Sequence, residues 1–131
     1  MASDPAMNST KESSLAALQR EVLAFRNERD WKQFHSLRHL IVSLNLEASE
    51  LLELTQWKSD AELEAAILGD DGAAHEALRD ECADVLAYLL LIADAGNMDL
   101  AAALREKLEK NAQKYPVEKS RGSKEKYTQL K

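Results

Sequence analysis

The sequence predicts an all-α fold, an antiparallel helical bundle completed by oligomerisation. Three observations carry this expectation. Only four Gly and two Pro interrupt 131 residues, while Leu, Ala, Glu and Lys, all good helix formers, are abundant. Apolar residues recur at helical rather than alternating spacing. The stretch from Val85 to Ala93 is apolar nearly all round, so as a helix it must be covered on every side. A chain of this size forms one domain with a real core, and covering such a helix calls for a second copy.

The elements follow in order. Residues 1–11 read as a disordered lead-in without the basic and apolar regions of a signal peptide. A first helix is expected from about Glu12 to Arg29, with Leu15, Leu18, Val22 and Phe25 on one face. The connection Asp30-Trp31-Lys32-Gln33-Phe34-His35 leads to Ser36, a natural N-cap for a second helix reaching about Trp57. Ser59 and Glu62 have capping-box spacing and open a brief helix ending near Leu68. Gly69-Asp70-Asp71-Gly72 is a turn by composition. A long helix then spans about Ala74 to Ala95, with Gly96 as a left-handed C-cap. Asp99 caps a last helix that must stop near Tyr115, because Pro116 follows. The helical domain is placed at 12–116 and a flexible basic arm at 117–131.

Composition excludes several classes. The net charge of −6 is unevenly spread: residues 1–104 carry −11 and residues 105–131 carry +5. An acidic body argues against DNA or RNA as partners, since such binding neutralises many phosphates. The longest apolar run is about half of what a membrane span needs, so no membrane association is expected. Cys82 is the single cysteine and cannot form an internal disulfide, which fits a reducing, cytoplasmic setting. The basic tail suits a small, multiply phosphorylated ligand, or is simply a solvated Lys-rich segment.

The chemistry is carried by acids. Glu47 and Glu50 form one Glu-x-x-acid pair, continued by Glu53; Glu81 and Asp84 form another, extended by Tyr88. Residues three apart share a helix face, so two such helices side by side can converge on an all-oxygen pocket. No Lys or Arg lies between Arg38 and Lys58, or between Arg79 and Arg105. A carboxylate on an apolar helix needs a compensating charge, and hard divalent cations such as Mg²⁺ prefer oxygen ligands. The absence of Glu-x-x-His argues against a di-iron bundle, and the absence of a Cys/His cluster against zinc. Solvent-facing acids that merely solubilise the helices are the alternative, and spacing leaves both open.

The pattern Glu47-x-x-Glu50 with Glu81-x-x-Asp84 resembles the metal-binding signature of the all-α nucleoside triphosphate pyrophosphohydrolases, the MazG-like superfamily. Arg29 to His35, Gln56-Trp57-Lys58-Ser59-Asp60, Tyr115-Pro116-Val117 and Ser120-Arg121-Gly122-Ser123 with Lys126-Tyr127 resemble its dCTP pyrophosphatase branch. The similarity covers about residues 15–130. It implies that Glu47, Glu50, Glu81 and Asp84 hold Mg²⁺ against a triphosphate. It implies a base pocket of Trp31, Lys32, Gln33, Phe34, His35 and Trp57, with Tyr88 near the sugar. Lys58, Asn111 and Lys114 become phosphate contacts. Two positions depart from the branch: Val22 stands where relatives can present His, and Lys114 where Arg is common. Either change loosens the choice of base.

The implied reaction splits a deoxynucleoside triphosphate, dCTP or a modified dCTP, between the α and β phosphates and clears unwanted nucleotides from the pool. Glu50 or Glu53 would orient the attacking water as general base. A broad or dUTP-preferring pyrophosphohydrolase and a non-catalytic nucleotide-binding bundle are the rival expectations. The resemblance further implies a homotetramer built as a dimer of dimers.

Overall fold

A computed structural model describes residues 14–69 and 72–131, and every regular element among them is helical. The chain divides into two compact units, one ending at Asn97 and one running from Met98 to Lys131. The 1–11 lead-in and the Asp70-Asp71 part of the expected turn lie outside the described residues.

In the first unit α1 spans Leu15–Glu28. It starts three residues later than expected because Ser14 caps it, with its side-chain oxygen accepting from the Ala17 N–H at 3.2 Å. The buried stripe is also displaced. Leu15, Leu18 and Val22 are half-buried, but Phe25 is 51 % exposed and the most enclosed residues are Ala17 and Arg26. Arg26, 6 % exposed, is drawn inward by an ion pair with Asp94 at 3.1 Å. Its Nε donates to Asn27 Oδ1 at 3.0 Å, so the buried guanidinium is served on two sides.

After α1 the chain reverses through Asp30, in the left-handed region at φ +54°, and a 3₁₀ turn at Lys32–Phe34. The helix α2, Leu37–Glu53, is capped by Ser36, whose hydroxyl oxygen accepts from the His39 N–H. It stops four residues before the expected Trp57. The Thr55 hydroxyl donates to the Leu52 carbonyl at 2.7 Å, and the Gln56 and Lys58 amides bond three residues back rather than four. Such side-chain competition and tightening end a helix. Trp57 then sits at φ +64°.

The brief helix α3 spans Asp60–Leu68. Its capping pair forms as expected at the backbone, with the Glu62 N–H donating to Ser59 Oγ. The return bond runs from the Ser59 hydroxyl to Glu62 Oε1. Gly69 closes this helix where a Cβ would come within 2.6 Å of the Ala65 carbonyl oxygen, so a side chain there meets backbone.

The long helix α4, Gly72–Ala95, is the packing centre, and α1, α2 and α3 all lie against it. Leu90, Leu91 and Ala93 of its apolar run are buried together with Leu40 of α2, while Leu86 and Leu89 of the same run stay partly open. The Gln19 side-chain amide donates to the Leu90 carbonyl at 3.0 Å, tying α1 to α4. The left-handed residue after α4 is Asn97 at φ +52°, not Gly96. The Gly96 amide still bonds back to Ile92, so the helical pattern passes through it and the reversal falls one residue later, where Asn tolerates that conformation.

The second unit opens with α5, Leu100–Lys114. Asp99 caps it as expected, Oδ1 accepting from the Ala102 N–H at 3.1 Å. The arm that follows contains a one-turn helix α6, Val117–Ser120, and a 3₁₀ turn at Tyr127–Gln129.

Candidate active site

Helices α2 and α4 carry the acids, and their packing brings three of the four together. Glu47, Glu50 and Glu81 each offer a carboxylate oxygen within 4.8 Å of the others. Asp84 is not part of that trio, yet it is near enough for its charge to act on both Glu47 and Glu81. Glu53, one turn beyond Glu50, is exposed.

The electrostatics of the trio are one-sided. Burial pushes the Glu47 carboxyl up to about 7, helped by a proton shared with Glu50 and by the charges of Glu50, Asp84 and Glu81. Glu81 is raised too, by burial first, then by Glu50, Asp84 and Asp80. No Lys, Arg or His forms an ion pair with any of the four acids among the described residues. The Oε2 atoms of Glu47 and Glu81 are buried without a hydrogen-bond partner. Orphaned buried acceptors of this kind are rare.

These donors fit a hard divalent cation. All are carboxylate oxygens, and their mutual spacing lies within reach of one ion whose ligand distances are about 2.0–2.6 Å. A cation there would satisfy both orphaned oxygens and offset the burial and the repulsion that raise Glu47.

The aromatic candidates lie toward the two ends of α2. Phe25 and Trp31 meet edge to face at 5.9 Å, and the Arg29 guanidinium covers the Phe25 ring at 3.5 Å. Trp31 and Phe34 are exposed, and an exposed ring is available to stack on a base. Gln33 braces its own loop, its amide donating to the Asp30 carbonyl and side chain at 3.0 Å each. Lys32 is exposed beside it. His35 stacks on His39 with ring centres 6.2 Å apart. Its Nδ1 is buried without a partner, and burial, His39 and Arg26 hold its pKa below the usual histidine value.

At the other end Trp57 is 91 % exposed in a left-handed conformation that bulky residues rarely take. Lys58 Nζ donates to the Leu54 carbonyl at 3.3 Å. Tyr88 is half-buried on α4, one turn beyond Asp84. Asn111 and Lys114 belong to α5 in the second unit, where the Lys114 ammonium sits 4.9 Å from the centre of the Tyr127 ring.

Sequence reasoning missed Phe25, Arg29 and His39 as neighbours of the aromatic loop. The i, i+4 spacings of Phe25 with Arg29 and of His35 with His39 were the available signals.

Residues 42–130 match the MazG-like family. The dCTP pyrophosphatase 1 of Rattus norvegicus is 44% identical over 119 residues, 91% of this chain and 69% of that protein. That of Homo sapiens is 40% identical over the same shares. A crystal structure of a pyrophosphatase from Archaeoglobus fulgidus superimposes with a TM-score of 0.70 at 33% identity, covering 81% of this chain and 95% of that one. Family match, curated relatives and a similar solved structure agree, and the chain belongs to the MazG-like family.

Proposed function

We propose that the protein is a Mg²⁺-dependent pyrophosphohydrolase that converts dCTP, or a modified dCTP, to the monophosphate and pyrophosphate. The observation that carries this is the trio Glu47, Glu50 and Glu81, converging with no ion pair to a Lys, Arg or His among the described residues and with two oxygens left orphaned. The similarity to dCTP pyrophosphatase 1 proteins supports the choice of nucleotide.

Glu47, Glu50, Glu81 and Asp84 are the residues that would hold Mg²⁺. When bound, such an ion neutralises phosphate oxygens and favours displacement at phosphorus. Glu50 or Glu53 takes a proton from the attacking water as its oxygen bonds to the α-phosphorus. The bond from that phosphorus to the bridging oxygen breaks, and pyrophosphate leaves with the electron pair. Trp31, Phe34 and Trp57 offer faces for the base, each stack worth about 1–3 kcal/mol. Stacking tolerates any base, so His35 Nδ1 and the loop backbone must supply discrimination, with Lys32 and Gln33 shaping the loop. Tyr88 meets the sugar, and Lys58, Asn111 and Lys114 contact phosphates.

The oligomer is a dimer of dimers in this reading. Ile41, Leu46, Leu52, Leu86 and Leu89 remain exposed, an apolar load suited to a second copy. The rise from Leu37 to Glu47 is about 15 Å along α2, so one copy's Trp31–His35 segment approaching another's acids also fits the separation. The setting is cytoplasmic, consistent with a free cysteine.

The test is product identity. With Mg²⁺ and dCTP the protein should release pyrophosphate and dCMP, and Glu50→Gln should abolish the release. Orthophosphate as product, or undiminished turnover in that variant, would overturn the mechanism. A dUTP and ribonucleotide panel measures base preference.

A further inference from the structure

An ion pair outside the acid trio joins the last turn of α1 to the last turn of α4. Arg26 Nη1 meets Asp94 Oδ2 at 3.1 Å, with the arginine side chain 7 % and the aspartate 36 % exposed. Stability alone is a poor reason for such a pair, because a well-packed apolar pair of similar volume is commonly as stable once the guanidinium has given up its water. What the ion pair adds is direction. Apolar surfaces slide past one another, whereas a hydrogen-bonded guanidinium holds one register.

The register matters because Arg26 also carries the loop that follows. Its carbonyl accepts from the Arg29 N–H at 3.3 Å and from the Trp31 N–H at 3.1 Å. Its Nε donates to Asn27 Oδ1 at 3.0 Å, and the Asn27 carbonyl accepts from the Asp30 N–H at 3.0 Å. The left-handed reversal at Asp30 therefore hangs on two residues, and Asp94 holds those two to α4. Trp31 leaves this anchor with its ring edge to face on Phe25 and 44 % exposed. Arg26 is also near enough to His35 for its charge to act there, after burial and His39, in lowering the histidine's pKa. Another tie between α1 and α4, from Gln19 to the Leu90 carbonyl at 3.0 Å, lies about two turns before Arg26.

We propose that Arg26 and Asp94 are positioning residues for base recognition, fixing the Trp31 loop against α4 so that the ring is ordered before nucleotide arrives. The inference rests on the reading of Trp31 as a stacking face for the base. The same helix carries Glu81 and Asp84, so the pair ties the aromatic loop to an element that presents two of the acids. A ring ordered in advance removes that ordering step from binding. The pair therefore acts on affinity for the base and not on the chemical step, and neither residue need touch the nucleotide.

The test replaces both partners at once, Arg26→Met/Asp94→Leu, because removing one alone strands a charge. The double variant should melt cooperatively near the wild-type temperature. Its KM for dCTP should rise about 2–10-fold, the equivalent of ordering one side chain on binding, with kcat unchanged. Inhibition by pyrophosphate, which has no base, should stay as in the wild type. A second readout needs no turnover. The chain has two tryptophans, so in a Trp57→Phe background Trp31 is the sole tryptophan emitter. Its time-resolved fluorescence anisotropy should gain a fast local component when the pair is removed. Gln19→Leu, which breaks the other tie between the same helices, should change neither KM nor anisotropy. Unchanged anisotropy or unchanged KM in the double variant would overturn the proposal, as would equal weakening of dCTP and pyrophosphate. The same effects from Gln19→Leu would overturn it too, since any loosening of α1 would then suffice. If the double variant does not fold, Asn27→Ala decides: Asn27 is exposed and its loss strips only the Nε bond. That variant should shift KM and anisotropy less but in the same direction, and no shift overturns the proposal. A wild type that turns over no nucleotide removes the reaction proposed above, and the anisotropy then decides by itself whether the pair orders Trp31.

Discussion

Replacing Glu47 by Gln should stabilise the metal-free protein and weaken its response to metal. Glu47 is raised from 4.5 to about 7, a shift of some 2.5 units, and each unit corresponds to about 1.36 kcal/mol between protonation states. The side chain is only half-buried, so solvent screening brings the penalty on the ionised form to roughly 1–2 kcal/mol. A carboxyl raised in the folded state favours folding below its unfolded value of 4.5, and that contribution disappears as pH rises through about 7. At pH 8 in EDTA the wild type therefore carries the whole penalty and Glu47→Gln does not. The variant should melt about 4–8 °C higher, taking roughly 4 °C per kcal/mol for a chain of this length. At pH 4.5 the difference should vanish. With saturating Mg²⁺ the order should reverse or close, because the wild type gains binding energy and the variant has lost a ligand. Thermal melts at two pH values, with and without Mg²⁺, read all of this. Equal melting temperatures at pH 8 in EDTA, or an equal Mg²⁺-induced rise in both proteins, would refute the reasoning.

Other outcomes follow from the same geometry. Mg²⁺ binding near pH 6.5 should release protons, because Glu47 must ionise to ligate; titration in buffers of different ionisation enthalpy measures the number. Trp57→Gly should relieve a left-handed backbone worth about 1 kcal/mol or more while raising KM for dCTP by roughly 5–150-fold through lost stacking; a less stable variant with unchanged KM would contradict both roles. Asp94→Ala leaves the Arg26 guanidinium buried without its partner and should cost about 2–4 kcal/mol in chemical denaturation. His35 is held below its ordinary pKa of 6.5, so its contribution to stability should fade as pH drops from 6.5 through that lowered value. The wild type minus His35→Gln stability difference should accordingly shrink on acidification.

The caps were legible because they are local. Ser36, Ser59 and Asp99 each accept a backbone N–H at the start of their helices, and nothing distant competes for a hydroxyl or carboxylate three residues from its donor. The acid pairs were legible for a similar reason, since i, i+3 spacing fixes a shared face before any packing occurs. Phe25 was misread because periodicity sees only apolar character. Which neighbouring residue goes inside was settled by Asp94, 68 residues away, whose carboxylate draws in Arg26 and leaves Phe25 to pair with Arg29 and Trp31. The end of α2 was misplaced because the chain after Glu53 can continue as helix or tighten, and the Thr55 hydroxyl bond tips it to the second.

By itself the sequence determined a helical chain, the caps at Ser36, Ser59 and Asp99, the acidic and basic halves, and four acids with no local cation. Only the tertiary structure decided that Glu47, Glu50 and Glu81 meet while Asp84 stands just outside, and that the basic tail folds into a cavity around Tyr127. Spacing along one helix fixes direction, but convergence between helices depends on how α2 and α4 pack. The fold-back of the tail depends likewise on an aromatic contact twelve residues apart in sequence.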